Sequence, residues 1–173
     1  MMSESMIERT RALLKEEEAR QLIHKYYSAE CFNSCWGLID IDSRSAGQNE
    51  DMILLASASL WHWKQRDDCQ PMNLSVAYWQ MGRVNCLAGN VAMAEYWADR
   101  CVSTSEEGDL PPFYLGYAYE VMANVNILKA EPTVAGKYMK LAREQLAMVT
   151  DEESRGFLEA DLEALQKKLD EQQ

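Results

Sequence analysis

The stretch VAYWQMGRVNCLAGN, residues 76–90, recurs in altered form as YAYEVMANVNILKAE, residues 117–131. An offset of 41 residues aligns the two stretches. The identities at this offset are Ala77/Ala118, Tyr78/Tyr119, Met81/Met122, Val84/Val125, Asn85/Asn126, Leu87/Leu128 and, further along, Ala94/Ala135. Most of these positions lie three or four residues apart, which is the spacing of one face of an α-helix. The chain therefore contains an internal repeat, and any assignment of fold has to explain it.

A second segment of helical composition follows each of these stretches. The breaks between the two segments are the short runs 88–90 and 130–132. The recurring residues of the second segments are Ala94, Trp97, Ala98 and Cys101 in one copy and Ala135, Tyr138, Met139 and Ala142 in the other. Small side chains at such positions let two helices approach closely. We therefore predict two helix–turn–helix units, residues 72–103 and 113–149.

The two units resemble the tetratricopeptide repeat (TPR), which has an aromatic residue, a large apolar residue followed by a small one, a turn glycine and spaced alanines. Those places are filled by Tyr78, Met81, Gly82, Gly89, Ala94 and Cys101 and again by Tyr119, Met122, Ala123, Ala130, Ala135 and Ala142. The usual repeat has about 34 residues, so the offset of 41 leaves an excess, which we assign to a loop at residues 104–112. Asn85 and Asn126 also depart from the pattern, because the family usually has an aromatic residue there.

The chain is similar, more widely, to a group of uncharacterised bacterial helical-repeat proteins of comparable length. The stretches that carry this similarity are CFNSCWGLID, LLASASLWHW, WQMGRVNCLAG and GYAYEVMANV. The similarity implies the same kind of fold and implies no activity.

The remaining segments complete the predicted architecture. We predict N-terminal helices at residues 7–31 and 51–66, a polar connection at 40–50, and a C-terminal capping helix at 151–170. Thr150 and Glu153 have the spacing of a capping box, and Leu158, Leu162, Leu165 and Leu169 form one apolar stripe on a charged helix. The resemblance and the pattern together indicate a single all-α domain, residues 1–173, folded as a TPR-like right-handed α–α superhelix of about seven helices.

Composition narrows the classes of partner. The net charge of −11 would repel nucleic acid and anionic membrane surfaces unless one face were basic. No apolar run approaches the roughly 18 residues of a membrane span, and the N-terminal residues lack a signal-peptide pattern. We expect a cytoplasmic protein whose five cysteines are reduced thiols.

Recognised catalytic and metal-binding motifs are absent from the sequence. It contains no HExxH, CxxC, GxSxG or glycine-rich phosphate loop. Cys31 and Cys35, four residues apart on one helical face, would be the best start of a metal site, but two ligands do not make one. We expect no metal, no cofactor and no catalytic residue, and hence a protein that is not an enzyme.

The segment SLWHWK, residues 59–64, raises the question of whether it forms a site or part of the core. Trp61 and Trp63 point some 200° apart on a helix, so each should pack against a different neighbour of a sandwiched helix. His62 projects between them. We interpret it as a half-buried histidine hydrogen-bonded to a neighbour, with a ligand contact as the alternative.

The first helix of each unit should supply the functional surface, because in the TPR family these helices form the concave wall. The resemblance places Trp79 and Arg83 of the first unit and Glu120 and Asn124 of the second on that wall, with Trp79 opposite Glu120 and Arg83 opposite Asn124. Aromatic residues and arginine are common in binding hot spots. The alternative is that the C-terminal helix or a second copy covers the wall and makes Trp79 a core residue.

Two residues form a secondary candidate site beside an expected helix break. Asn33 and Trp36 have side chains that often cap or lock a loop, and a ligand contact is the alternative.

Three functional hypotheses remain open from the sequence. The first is a non-enzymatic module that binds a protein or a peptide. The second is a small-molecule pocket or enzyme in which His62, Arg83 and Glu120 converge with Trp79. The third is a structural homodimer, since helices rich in methionine and tryptophan suit a dimer face.

Overall fold

The computed structural model describes residues 4–13 and 15–172 of the chain. These residues form eight α-helices and no β-strand, so the predicted all-α class is confirmed. The helices are α1 (Glu4–Leu13), α2 (Glu17–Ile39), α3 (Ala46–Lys64), α4 (Pro71–Leu87), α5 (Val91–Glu107), α6 (Pro112–Leu128), α7 (Pro132–Leu146) and α8 (Glu152–Asp170). The predicted domain, 1–173, also includes residues 1–3, 14 and 173, which lie outside the described residues.

The N-terminal half differs most from the predicted helices. Residues 7–31 are not one helix, because α1 ends at Leu13 and α2 begins at Glu17, and this break raises the predicted number of about seven helices to eight. α2 then continues to Ile39, well beyond the predicted end. The continuation has a packing reason: Cys35 and Ile39 are buried four residues apart, so the helix keeps one face on the core.

Two helix starts were predicted at the wrong residue. α3 begins at Ala46 instead of residue 51, because Ser45 accepts a hydrogen bond from the Gln48 amide at 3.2 Å while the Gln48 side chain accepts one from the Ser45 amide at 2.8 Å. This capping box lies within the run that was read as a polar connection. At α8 the predicted Thr150/Glu153 box is wrong: Asp151 caps the helix by accepting from the Ser154 amide at 2.8 Å.

The excess length of the repeat lies in the helices. α5 continues to Glu107, so the predicted loop at 104–112 shrinks to the four residues between α5 and α6. α4, α5 and α6 have 17 residues each. Longer helices, rather than a longer connection, account for most of the added residues.

Neighbouring helices pack as successive pairs, α2 with α3, α4 with α5 and α6 with α7. α4 also packs against α6, and α6 against α8, so that the first helices of the pairs contact one another. Glycines permit two of these close approaches. A Cβ at Gly82 on α4 would lie 2.7 Å from a methyl carbon of Val121 on α6, and one at Gly116 on α6 would lie 2.5 Å from a methyl carbon of Leu158 on α8.

The buried side chains form two clusters. The first is built from α2, α3, α4, α5 and α6, and the second from α6, α7 and α8. The predicted stripe on α8, which is Leu158, Leu162, Leu165 and Leu169, belongs wholly to the second cluster. α6 is the helix that contributes buried residues to both.

The turn that joins the two helices of a pair is the same in both units. The Asn90 amide donates to the Asn85 carbonyl at 2.9 Å, and the Glu131 amide donates to the Asn126 carbonyl at 2.9 Å. The left-handed position of each turn is taken by Gly89, at φ 74°, and by Ala130, at φ 56°. These contacts recur at the offset of 41 residues, so the repeated sequence specifies a repeated turn.

The tryptophans of SLWHWK have different surroundings. Trp63 is half-buried, with the Arg66 guanidinium carbon 3.7 Å from the centre of its ring. Trp61 is 55% exposed, so the prediction that both tryptophans are sandwiched between helices is wrong for Trp61. The reason is that α3 packs against α2 on one side and α4 on the other, which leaves a third face at the surface.

Candidate functional site

A cavity of about 420 Å³ lies among α2, α4, α6 and α8. Seven of its ten lining residues are aromatic. The lining consists of Phe32, Trp36, Ser75, Val76, Trp79, Phe113, Tyr114, Tyr117, Phe157 and Asp161. Among these residues Asp161 alone carries a charge. The volume falls within the roughly 300–1,000 Å³ of typical ligand pockets.

Each of the four helices contributes a pair of lining residues four positions apart. The pairs are Phe32/Trp36 on α2, Ser75/Trp79 on α4, Phe113/Tyr117 on α6 and Phe157/Asp161 on α8. Side chains four positions apart lie one above the other on the same helical face. The lining therefore has two layers of side chains, one helical turn apart, on every side.

The aromatic rings contact one another across the helices. The ring centres of Trp36 and Trp79 are 5.7 Å apart, and those of Trp79 and Tyr117 are 5.2 Å apart with the rings nearly perpendicular. Within α6, the ring centres of Phe113 and Tyr117 are 5.0 Å apart. Such pairs add about 0.5–1.5 kcal/mol each beyond the area that they bury. The rings thus hold one another in place and keep the cavity in shape.

A polar network lies behind the aromatic lining. Trp79 donates from Nε1 to Glu120 Oε2 at 2.8 Å. Arg83 contacts Glu120 Oε1 at 3.4 Å and Asp161 Oδ1 at 3.2 Å. Tyr117 donates its hydroxyl to Asp161 Oδ2 at 3.1 Å. The network joins α4, α6 and α8 and fixes the orientation of the Trp79 and Tyr117 rings that face the cavity.

Glu120 is the buried centre of this network, with none of its surface exposed. Burial raises the pKa of Glu120 to about 7, although Arg83 and the Trp79 hydrogen bond oppose the shift. Burial by itself would lower the pKa of Arg83, but Glu120 and Asp161 outweigh it, and the pKa is raised. Burial and the neighbouring Asp161 raise the pKa of Tyr117. Arg83 and Tyr117 therefore keep their protons, and Glu120 is the member that titrates near neutral pH.

Three of the four predicted wall residues meet, and the fourth does not. Trp79, Arg83 and Glu120 form one network, in which Arg83 pairs with Glu120 and Asp161, whereas Asn124 makes no hydrogen bond to these residues among the described contacts. Asn124 lines a second cavity, of about 440 Å³, with Cys86 and Lys168 among its neighbours.

The predicted wall is not an open surface at Trp79 and Glu120. Trp79 is 6% exposed and Glu120 is fully buried. The reason is that α8 packs beside α6 and brings Asp161 over Arg83. Trp79 is thus a core residue that also presents its ring to the cavity.

The two residues of the secondary candidate site line different cavities. Trp36 lines the aromatic cavity, whereas Asn33 is exposed and lines an adjoining cavity of about 210 Å³. The helix break expected beside them is wrong, since both residues lie inside α2.

His62 lies elsewhere, away from the aromatic cavity. Its Nδ1 is 2.9 Å from Nδ1 of His24, in a half-buried contact between α2 and α3. Burial, and then the nearby His24, lower the pKa of His62. The predicted convergence of His62 with Arg83 and Glu120 on one cavity is wrong, because His62 is on α3 and does not line this cavity.

Sequence reasoning missed most of the aromatic lining. Phe32, Phe113, Tyr114, Tyr117 and Phe157 were not among the candidates. The available signal was the spacing of Phe32/Trp36 and Phe113/Tyr117, which puts two rings on one helical face. Asp161 carried no such signal, because acidic residues are frequent along α8.

No family model, no curated protein and no solved structure matches this chain. Within residues 4–13 and 15–172, no group of three or more His, Cys, Asp or Glu side chains could hold a metal ion, and no helix has the length and hydropathy of a membrane span. Cys35, which with Cys31 would have been the best start of such a site, donates its thiol to the Met52 carbonyl at 3.4 Å.

Proposed function

We propose that this chain is a TPR-like, non-enzymatic module that binds a protein or a peptide by enclosing one of its side chains in the aromatic cavity. The observation that carries the proposal is the cavity itself, which four helices line with seven aromatic residues. A cleft of this kind buries a partner side chain deeply, as binding hot spots do.

The packing of the helices supports a TPR-like stack, and the resemblance to that family implies that the stack is right-handed. In such a stack the first helices of the pairs form the inner wall, and here α2, α4, α6 and α8 line the cavity together. The cavity would then lie on the inner wall, where a peptide segment can run across several units.

The polar groups beside the cavity favour binding over catalysis. Both Glu120 oxygens and both Asp161 oxygens accept contacts from Trp79, Arg83 or Tyr117. They hold the lining in place. A general acid or base would have to use a remaining lone pair of these oxygens or give up one of the contacts.

A selection from a displayed random-peptide library tests the proposal. We expect selected peptides to bind the intact chain, and Trp36→Ala to weaken them by about tenfold or more, because Trp36 is half-buried in the lining. Trp61→Ala is the matched control, since Trp61 is an exposed tryptophan outside the lining. Peptides that bind the Trp36→Ala protein as tightly as the wild type would rule out the cavity as the binding site.

A further inference from the structure

The composition of the cavity carries an inference about which chemical group it takes. The inference rests on the proposed function, because it concerns the same cavity. An aromatic ring presents a negative face, so several rings around one space attract a cation. Trp36, Trp79 and Tyr117 form a connected array along the lining, and the exposed Phe157 stands at its edge.

The charge around the cavity has the sign that favours a cation. Asp161 lies in the lining itself. Behind it, Arg83 is paired with Asp161 and Glu120, so the three groups carry one net negative charge when both carboxylates are ionised. The whole chain has a net charge of −11. The field of the protein thus adds to the attraction of the rings.

The shortage of free acceptors narrows the kind of cation. Asp161, the charged residue of the lining, already accepts from Arg83 and from the Tyr117 hydroxyl, which leaves it part of its acceptor capacity. The other polar side chains of the lining are the hydroxyls of Ser75, Tyr114 and Tyr117, so acceptors are few. A primary ammonium or a guanidinium would bring three to five N–H donors, each of which needs a partner when it leaves water. A quaternary ammonium has no N–H donor, so it loses no hydrogen bond on entering an aromatic cavity.

We propose that the aromatic cavity binds a quaternary ammonium group, carried by a trimethylated lysine side chain of a peptide partner. The rings of Trp36, Tyr117 and Phe157 stabilise the methylated cation, since the Arg83 guanidinium carbon already lies 5.5 Å from the centre of the Trp79 ring. Asp161 balances the charge of the cation. The uncharged analogue, with carbon in place of nitrogen, would lose both contributions.

The test compares a cation with its neutral isostere. Choline and 3,3-dimethylbutan-1-ol have nearly the same shape and differ in charge, and each is titrated into the intact chain by calorimetry. We expect choline to bind more tightly by at least about tenfold, because several rings of the lining attract the cation together. Equal affinity for the two compounds would overturn the proposal that the cavity selects a cation and would indicate an apolar binding site. Binding of neither compound would overturn this inference as well.

A second arm separates a peptide from a free small molecule. A short peptide with a trimethylated lysine is compared with the same peptide carrying unmodified lysine. Tighter binding of the trimethylated peptide supports the inference and the proposed function together. If choline bound and the trimethylated peptide did not, the cavity would still be a site for a quaternary ammonium group. The proposal that a peptide carries this group would be overturned.

Two variants locate the binding without disturbing the fold. Phe157→Leu keeps an apolar side chain at a residue that is 59% exposed but removes its ring. We expect it to weaken choline by about threefold or more and to leave the neutral isostere unchanged. Trp61→Leu is the control outside the lining. If Phe157→Leu weakened both ligands equally, the ring would contribute only its shape and not an attraction to the cation. If it weakened neither, choline would bind elsewhere. Each result contradicts the inference.

Discussion

The unit α4–α5 and the unit α6–α7 share their framework and differ at the cavity. In the first unit Tyr78 stacks on Trp97 with ring centres 5.7 Å apart, and in the second Tyr119 and Tyr138 lie 6.4 Å apart. Asn85 and Asn126 each donate a side-chain hydrogen bond to the carbonyl four residues earlier, at 2.8 Å in both units. These residues build the helix pair and its turn, and they recur at the offset of 41 residues.

The two units differ at three positions spaced one helical turn apart on α4 and α6. Ser75, Trp79 and Arg83 of α4 correspond to Gly116, Glu120 and Asn124 of α6. The hydrogen bond from Trp79 to Glu120 joins two equivalent positions. Two glutamates at positions 79 and 120 would repel each other. Two tryptophans at these positions would need more space than the present pair of one tryptophan and one glutamate occupies. The residues that build each helix pair can therefore be the same in both units. Equivalent positions that face each other across α4 and α6 have to differ before they can form a hydrogen-bond network.

The largest effect should follow from removing the acidic member of the facing pair. Glu120→Ala leaves Trp79 and Arg83 without their buried partner, and we expect it to lower the free energy of unfolding by about 3–5 kcal/mol. Glu159→Ala, an exposed glutamate of α8, is the control and should change it by less than about 0.5 kcal/mol. Urea denaturation measures both. Equal effects would mean that the facing pair does not hold the units together.

The next effect concerns the small residue at which the units touch. Gly82 corresponds to Ala123, so Gly82→Ala makes the first unit more like the second. The new methyl group would meet the buried Val121, and we expect an overpacking cost of about 1–3 kcal/mol, reduced by about 1 kcal/mol through higher helix propensity.

Gly156→Ala is the matched control for that change. Gly156 lies in α8 with open space at its Cβ position. The same substitution should therefore raise the midpoint of thermal unfolding there and lower it at Gly82. A higher midpoint of thermal unfolding for both variants would show that the contact between α4 and α6 can accommodate an added methyl group.

The pH dependence of stability tests the charge of Glu120. Its pKa is about 7 in the folded chain against an ordinary 4.5. Between these values the folded state binds a proton that the unfolded state has lost, so the contribution is full below pH 4.5 and is lost as the pH rises through 7. The slope is at most about 1.4 kcal/mol per pH unit. Glu120→Gln should remove this part of the slope, and an unchanged profile would contradict the assignment.

The smallest effect concerns the turns. Gly89 and Ala130 are equivalent left-handed residues, and the left-handed conformation costs a residue with a Cβ about 1–2 kcal/mol. Gly89→Ala should therefore lower the free energy of unfolding by about 1 kcal/mol. Ala130→Gly should change it by less, because relief of strain is offset by the greater freedom of glycine in the unfolded chain. A larger loss at Ala130 than at Gly89 would show that the turns differ.

Prediction from the sequence succeeded where residues repeat. The identities at 41 residues located α4 to α7, and the same offset put Trp79 beside Glu120. The apolar stripe from Leu158 to Leu169 likewise marked the buried face of α8. These features depend on local periodicity, which can be read directly from the chain.

The features that were missed depend on how distant helices cross. Nothing in the sequence of α8 shows that Asp161 reaches Arg83, which is 78 residues earlier in the chain. The burial of Glu120 follows from that crossing, and so does its raised pKa. Near α2 the error was local: Ser45 lies in a polar run, and its capping box was read as part of a loop.

The division of the core at α6 bears on how the molecule opens. The buried residues of α7 and α8 belong to the second cluster, although the half-buried Tyr138 of α7 also packs against the first. We therefore expect α7 and α8 to separate from α6 with little change in the first cluster. Such sub-global opening costs less free energy than complete unfolding. α8 also carries Phe157 and Asp161, so the same event lifts one wall from the cavity. Amide hydrogen exchange in α8 and the escape of a bound ligand would then share one rate-limiting motion, and an occupied cavity would slow both.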